Sequence, residues 1–151
     1  MVCAIVALFI LTGCSGEYGA EQKAFADVNL IRTTYGLAPL QPDNTLVDLA
    51  RGHAHDMADH HYFGHTPADG CNVVCQMDRD GIPHAWAGEN IEWNNWDWGQ
   101  TADAAIRTWL YSPEHLVNMI NCHYTRAGVG VWRSDDGRNY FSMVYEGDAQ
   151  C

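Results

Sequence analysis

Ala87-Gly88-Glu89-Asn90-Ile91 sets an acidic residue between a glycine and the start of an apolar run. A histidine-bearing segment flanks it on each side, Phe63-Gly64-His65-Thr66-Pro67 upstream and Ser112-Pro113-Glu114-His115 downstream. Imidazoles and a carboxylate are the groups that organise a polar cleft or take up a metal ion. We read the three segments as meeting in space to form one such cleft.

The elements around these segments follow from period and punctuation. Glu89 to Trp93 reads as a short strand, and residues 64–85, rich in Gly, Pro, Asp and Cys, as an irregular segment with one or two helical turns within Val73 to Asp80. Upstream, Ala24, Val28, Ile31 and Tyr35 recur at three- and four-residue steps, which is one face of a helix over Glu21 to Tyr35, with Gly36 as its C′ residue. Leu37 to Leu40 is an extended connector. Asp43 or Asn44 then caps a second helix running to about His60, with Leu46, Leu49, Ala50, His53 and Met57 inward. Downstream, Thr101 reads as an N-cap, and the helix runs to about Tyr111 before Pro113 ends it. His115 to Ile120 is a further helical turn. The period then changes: Gly128 to Trp132 and Asn139 to Glu146 are β-rich, and Ser134-Asp135-Asp136-Gly137 between them carries a hairpin signal. Helices first and a hairpin last indicate an α+β domain.

The 151 residues fit one domain, and 47% hydrophobic with 18% charged residues is globular composition. A formal net charge of −11 argues against nucleic acid and against anionic membrane surfaces as partners, which both call for Lys/Arg patches. The first fourteen residues, MVCAIVALFILTGC, form an apolar run too short to span a bilayer. They read as a secretory signal (residues 1–14) whose Leu11-Thr12-Gly13-Cys14 matches a bacterial lipobox, with Cys14 as the lipidated residue. An ordinary cleaved signal is the alternative. Residues 15–20 are then a tether and 21–151 the domain. The expected location is export to the cell envelope, at the outer membrane in a diderm host, or secretion; the anchor supplies the only membrane contact.

With Cys3 and Cys14 assigned to the leader, Cys71, Cys75, Cys122 and Cys151 remain. Four cysteines in an exported chain suggest two disulfides and allow three connectivities. Cys71 with Cys75 would close a small local loop, leaving Cys122 for Cys151. A zinc site of all four is the competing idea, and the spacing matches it poorly.

In its ordered motifs the chain resembles the bacterial form of the CAP superfamily, the SCP-like extracellular domain. Asn29-Leu-Ile-Arg32 with Gly36-Leu37 and Pro39-Leu40, Leu49-Ala50 through His53 to Asp56-Met57, Gly64-His65-Thr66-Pro67, Ala87 to Ile91, Trp109-Leu-Tyr-Ser112-Pro113-Glu114-His115 and Gly128 to Val131 carry the resemblance. It covers roughly residues 21–146. It implies an α-β-α sandwich around a small antiparallel sheet, and a cleft lined by two histidines and two acids. By position these are His65, His115 and Glu89. The second acid departs from the pattern: eukaryotic members place a glutamate three residues after the tryptophan, where this chain has Ser112, and Glu114 lacks the register to replace it.

His65 and His115 are thus the expected metal ligands, for Zn²⁺ with waters or Glu89 completing the shell. The plainer alternative is that both only hydrogen-bond Glu89 and water. Glu89 is also the one candidate for catalysis, as general base of a metal-dependent envelope hydrolase. Against that stand the absence of HExxH, of G-x-S-x-G and of a third ligand; Ser112 before Pro113 fits turn chemistry better than a nucleophile. His53 reads as a core residue, and His55, His60 and His61 as surface groups. Trp93, Trp96 and Trp98, interleaved with Asn and Asp, form a candidate ligand platform; in the plainer version Trp93 and Trp98 enter the core and Trp96 alone is exposed. The resemblance implies a binding or interaction module for a small hydrophobic ligand, such as a sterol or lipid, or an extracellular protein.

Overall fold

The computed structural model describes residues 15–148 and 150–151; Cys14 and the rest of the lipobox lie outside the described residues. The elements run α1 (Ser15–Thr34), β1 (Gln41–Pro42), α2 (Asn44–Asp59), α3 (Val73–Arg79), β2 (Trp86–Asn94), α4 (Thr101–Tyr111), α5 (Pro113–Met119), β3 (Arg126–Arg133) and β4 (Asn139–Gly147). The strands form one sheet in the order β1-β3-β4-β2. β4 pairs antiparallel with β2 and β3, whereas β1 runs parallel to β3 through Gln41 and Pro42 alone. The sheet is therefore mixed, and the expected connector ends in this short edge strand.

Alternation along β4 divides the core into two layers. Phe141, Met143 and Tyr145 pack with Val129 and Val131 of β3 against α1, α4 and Met119 of α5. Tyr140 and Val144 point the other way, to Ala54 and Met57 and to Leu46, Ala50 and Met77 of α2 and α3. This is the expected α-β-α sandwich. Gly128 and Gly130 face α2, where a Cβ would run into the backbone of Leu46 and Val47 or of Ala50 and Arg51. Those two glycines let α2 sit directly on β3.

Asp43 caps α2, its Oδ1 accepting from the Thr45 and Leu46 N–H groups, as expected. Thr101 does not cap α4. Gln100 holds that position without a side-chain bond, and the Thr101 hydroxyl donates instead to Asn94 Oδ1 at 2.7 Å, tying α4 to the end of β2. Residues 15–20, expected as a tether, are the first turns of α1. Tertiary contacts explain the difference: Ala20 is buried, Gly16 lies against the Trp98 ring, and Glu17 Oε1 accepts from the Arg133 N–H at 3.3 Å.

Two polar residues of the Asn29-Leu-Ile-Arg32 motif fix loops. Asn29 both donates to and accepts from the Leu40 backbone. Arg32, buried and without an ion pair among the described residues, spends its donors on the carbonyls of Ala38, Met119, Asn121 and Tyr124 at 2.8–3.1 Å. It thereby holds the loop between α5 and β3. On the outer side of β2, the Trp109 indole donates to the Ile91 carbonyl at 3.0 Å, and Asn118 donates to the Glu89 carbonyl at 3.1 Å. Disulfides join Cys71 to Cys75 and Cys122 to Cys151, the pairing expected from local closure, so the four cysteines do not form a zinc site.

Candidate functional site

Strand alternation sends Glu89 and Asn90 to opposite faces of β2. Asn90 faces α5, where its amide donates to the His115 carbonyl at 3.0 Å and accepts from Asn118 at 2.9 Å. It thus sets the position of the second histidine segment. Glu89 faces α2 and is buried to 8% exposure. Its Oε1 lies 2.6 Å from His53 Nδ1 and 2.6 Å from Ser142 Oγ, and its Oε2 lies 2.9 Å from His65 Nδ1.

Burial alone would raise the Glu89 carboxyl, but hydrogen bonds from His53, His65 and Ser142 outweigh it and hold the group below its ordinary value. An ionised carboxylate only accepts, so the nitrogens facing it, Nδ1 of His53 and of His65, carry hydrogens. His65 is accordingly raised, first by its bond to Glu89. Its Nε2 is then the free ring nitrogen of the neutral form. The same logic fixes His115. Ser112 Oγ donates to Glu114 Oε2 at 2.9 Å, so it accepts from His115 Nδ1 at 2.8 Å and leaves Nε2 as the basic atom. His115 is lowered, first by burial and then by the charge of His65, which places the two imidazoles within electrostatic reach.

The structure therefore brings His65 and Glu89 into contact, and Asn90 on the same strand holds the backbone of His115, with Ser112 against the His115 ring. Each histidine donates through Nδ1 and presents Nε2, the arrangement in which a second partner orients a metal-binding imidazole. The donor set fits a divalent ion held by two imidazoles. Both oxygens of Glu89 are engaged by donors, and those hydrogen bonds lower its proton affinity. In this structure Glu89 acts as the acceptor that orients His65. Among the described residues, no third His, Cys, Asp or Glu joins the His65–His115 pair as a compact ligand group.

His53 and Ser142 are the partners of Glu89 that sequence reasoning missed. His53 is buried as expected, yet its partner is the site's own carboxylate. A signal was present: an imidazole on an apolar helix stripe needs an acceptor, and Glu89 of the expected cleft is an acid able to supply one. Ser142 sits in the apolar run Tyr140 to Tyr145, and nothing in its spacing distinguishes it.

The tryptophans differ from the plainer expectation. Trp93 is 42% and Trp96 48% exposed. Trp93 leaves the core because it ends the row beside Tyr140, beyond the cover of α2, and the Arg138 guanidinium lies 4.8 Å over its ring. Trp98 packs partly against the core and against Gly16, with Arg133 over its ring. The three rings thus face different neighbours, so the candidate platform reduces to Trp93 and Trp96. A cavity of about 450 Å³ lies between α2, α3 and residues 67–69, lined by His53, Asp56, Tyr62, Asp69 and Arg79 among others. Its charged lining suits polar molecules.

The profile of the cysteine-rich secretory protein family, the CAP domain, matches residues 25–145. The chain belongs to that family. YlbC of Bacillus subtilis (strain 168), named an uncharacterized membrane protein, is 32% identical over 121 residues, which is 80% of this CAP chain and 34% of YlbC. An extracellular SCP-domain protein from Bacillus anthracis str. Ames superposes with a TM-score of 0.76 at 30% identity, over 87% of this chain and 41% of that one. NaASP2, solved with Zn²⁺, shares the fold at a TM-score of 0.63 and 15% identity, over 89% of this chain and 87% of its own. The CAP chain thus spans less than half the length of YlbC and of the B. anthracis protein.

Proposed function

We propose that this CAP domain is an exported binding module whose cleft holds one divalent ion, Zn²⁺ by ligand chemistry, between Nε2 of His65 and Nε2 of His115. The observation that carries the reading is that both Nδ1 atoms are already occupied, by Glu89 and by Ser112, so both basic nitrogens are left for a ligand. Two imidazoles leave open positions on the ion, which bound would offer a Lewis-acidic point for an anionic or carbonyl group of a ligand. The chain's own residues supply the orientation. Glu89 and Ser112 fix the rings, Asn90 fixes α5, and the exposed side chains of Phe63, Tyr111 and Val117, next to the histidine segments, offer apolar surface for a small hydrophobic ligand. Export is supported by the lipobox reading, by two disulfides, which belong to oxidising compartments, and by the extracellular character of the B. anthracis relative. That NaASP2 has been solved with zinc agrees with the metal reading.

Calorimetric titration of the full chain with zinc is expected to show one ion lost in a His65→Ala/His115→Ala variant. Binding falls as pH falls, because protons compete for both Nε2 atoms, and the fall begins above the ordinary imidazole range of about 6.5 because His65 is raised. Equal binding by the wild type and the double variant overturns the proposal.

A further inference from the structure

A second cluster of ligand atoms lies in the loop between α5 and β3. His123 Nδ1 is 3.3 Å from Cys151 Sγ, and Cys151 is bonded to Cys122. The two sulfurs and the imidazole nitrogen lie within 4.8 Å of one another, the one such group of three found among the described residues. While the sulfurs are bonded neither is a thiolate, and the cluster cannot ligate a metal ion.

The surroundings hold this corner together by means other than the disulfide. Arg32 donates to the carbonyls of Asn121 and Tyr124, on both sides of Cys122 and His123. Trp86 stacks on the His123 ring at 4.0 Å with the planes 2° apart. The backbone of His123 to Thr125 lies against Gly147, and the Thr125 N–H donates to the Glu146 carbonyl. Cys151 comes four positions after Gly147, the last residue of β4, so with the disulfide open it stays within about 14 Å of that strand end.

We propose that reduction of Cys122–Cys151 turns this corner into a site for a thiophilic divalent ion, with Cys122 Sγ, Cys151 Sγ and His123 Nδ1 as ligands. A dithiol reductant supplies the two electrons and two protons: its thiolate attacks Cys122 Sγ, Cys151 leaves as thiolate beside the imidazole, and the second reductant thiol resolves the mixed disulfide. The reductant becomes a disulfide and the chain gains two thiols. A divalent ion then displaces both thiol protons, giving a neutral two-thiolate, one-imidazole set with a fourth position open. Exchange with an oxidised dithiol, which takes up the two electrons and becomes a dithiol, re-forms Cys122–Cys151 and releases the ion.

The test uses the full chain carrying Cys3→Ser/Cys14→Ser and Cys71→Ser/Cys75→Ser, so that Cys122 and Cys151 are the only cysteines, and His65→Ala/His115→Ala, so that the cleft contributes nothing. Zinc is titrated before and after reduction with dithiothreitol, the reductant being removed under nitrogen. The reduced chain is expected to take up one zinc per chain about 100-fold or more tighter than the oxidised chain, and a Co²⁺-loaded sample to show thiolate charge-transfer absorption. Adding His123→Ala is expected to weaken uptake about 10-fold or more. Far-UV circular dichroism follows the fold; if reduction unfolds the chain, zinc is expected to restore the native spectrum through these ligands. Zinc uptake no greater after reduction, uptake unaffected by His123→Ala, or a reduced chain that zinc does not refold overturns the proposal.

Discussion

Glu89 and Glu92 are two buried carboxyls three positions apart on one strand, and their neighbours give them opposite chemistry. Glu89 has imidazole and hydroxyl donors and stays ionised. Glu92, on the α4 side, has only the Asn94 amide at 3.0 Å and the Thr108 hydroxyl at 3.5 Å, and burial pushes it up to about 7. The folded chain therefore keeps the Glu92 proton at pH values where the unfolded chain, near 4.3, has lost it. That contribution to stability is full below about pH 4 and is lost as pH rises through about 7. Glu92→Gln, which keeps the shape without the charge, is expected to stabilise the domain by about 1–2 kcal/mol at pH 8 and by much less at pH 5. Urea unfolding at the two pH values reads the difference. No gain at pH 8 would mean that Glu92 is solvated in the folded state.

At the level of elements, the contact of α2 with β3 decides the architecture. Gly128 and Gly130 are spaced by two, so both fall on one face of the strand while Val129 and Val131 fall on the other. Gly130→Ala places a methyl against the backbone of Ala50 and Arg51, where no side chain can rotate away. The expected cost is about 3 kcal/mol or more, at or beyond the usual range for overpacking, read as a lower urea midpoint with an unchanged slope. Because α2 also carries His53, the same variant is expected to disturb the Glu89 acceptor. The helix periods, the Asp43 cap and the hairpin were legible in the sequence, since each is written in side chains within a few residues of one another. The α1 start and the Thr101 hydroxyl bond were not, because their partners, Trp98, Arg133 and Asn94, lie elsewhere in the chain or across a loop.

For the whole molecule, legibility followed the range of the interaction. His65, Glu89 and His115 were recognisable because each sits in its own short motif. The roles of Glu89 and Ser112 within the cleft depend on which atom faces which, and only the folded chain brings His53 and Ser142 to the carboxylate. The Cys122–Cys151 bond closes a long loop around β3 and β4, with a sequence separation of 29. Replacing both cysteines by serine is expected to cost about 3–4 kcal/mol on the loop-closure account. Replacing Cys71 and Cys75, only four apart, is expected to cost about 2 kcal/mol on the same account. Thermal unfolding of the two double variants compares them, and equal losses would show that strain or packing, rather than loop length, dominates.

The bonds from Trp109 and Asn118 to the carbonyls of Ile91 and Glu89 have a colloidal meaning as well. An outer strand whose acceptors stand open invites a strand from another chain. Here indole and amide donors already occupy that edge of β2, and at the opposite edge β1 is two residues long and ends in Pro42, which has no N–H to offer. Copies of this domain crowded together at high local concentration are therefore expected to resist strand-by-strand pairing at these positions.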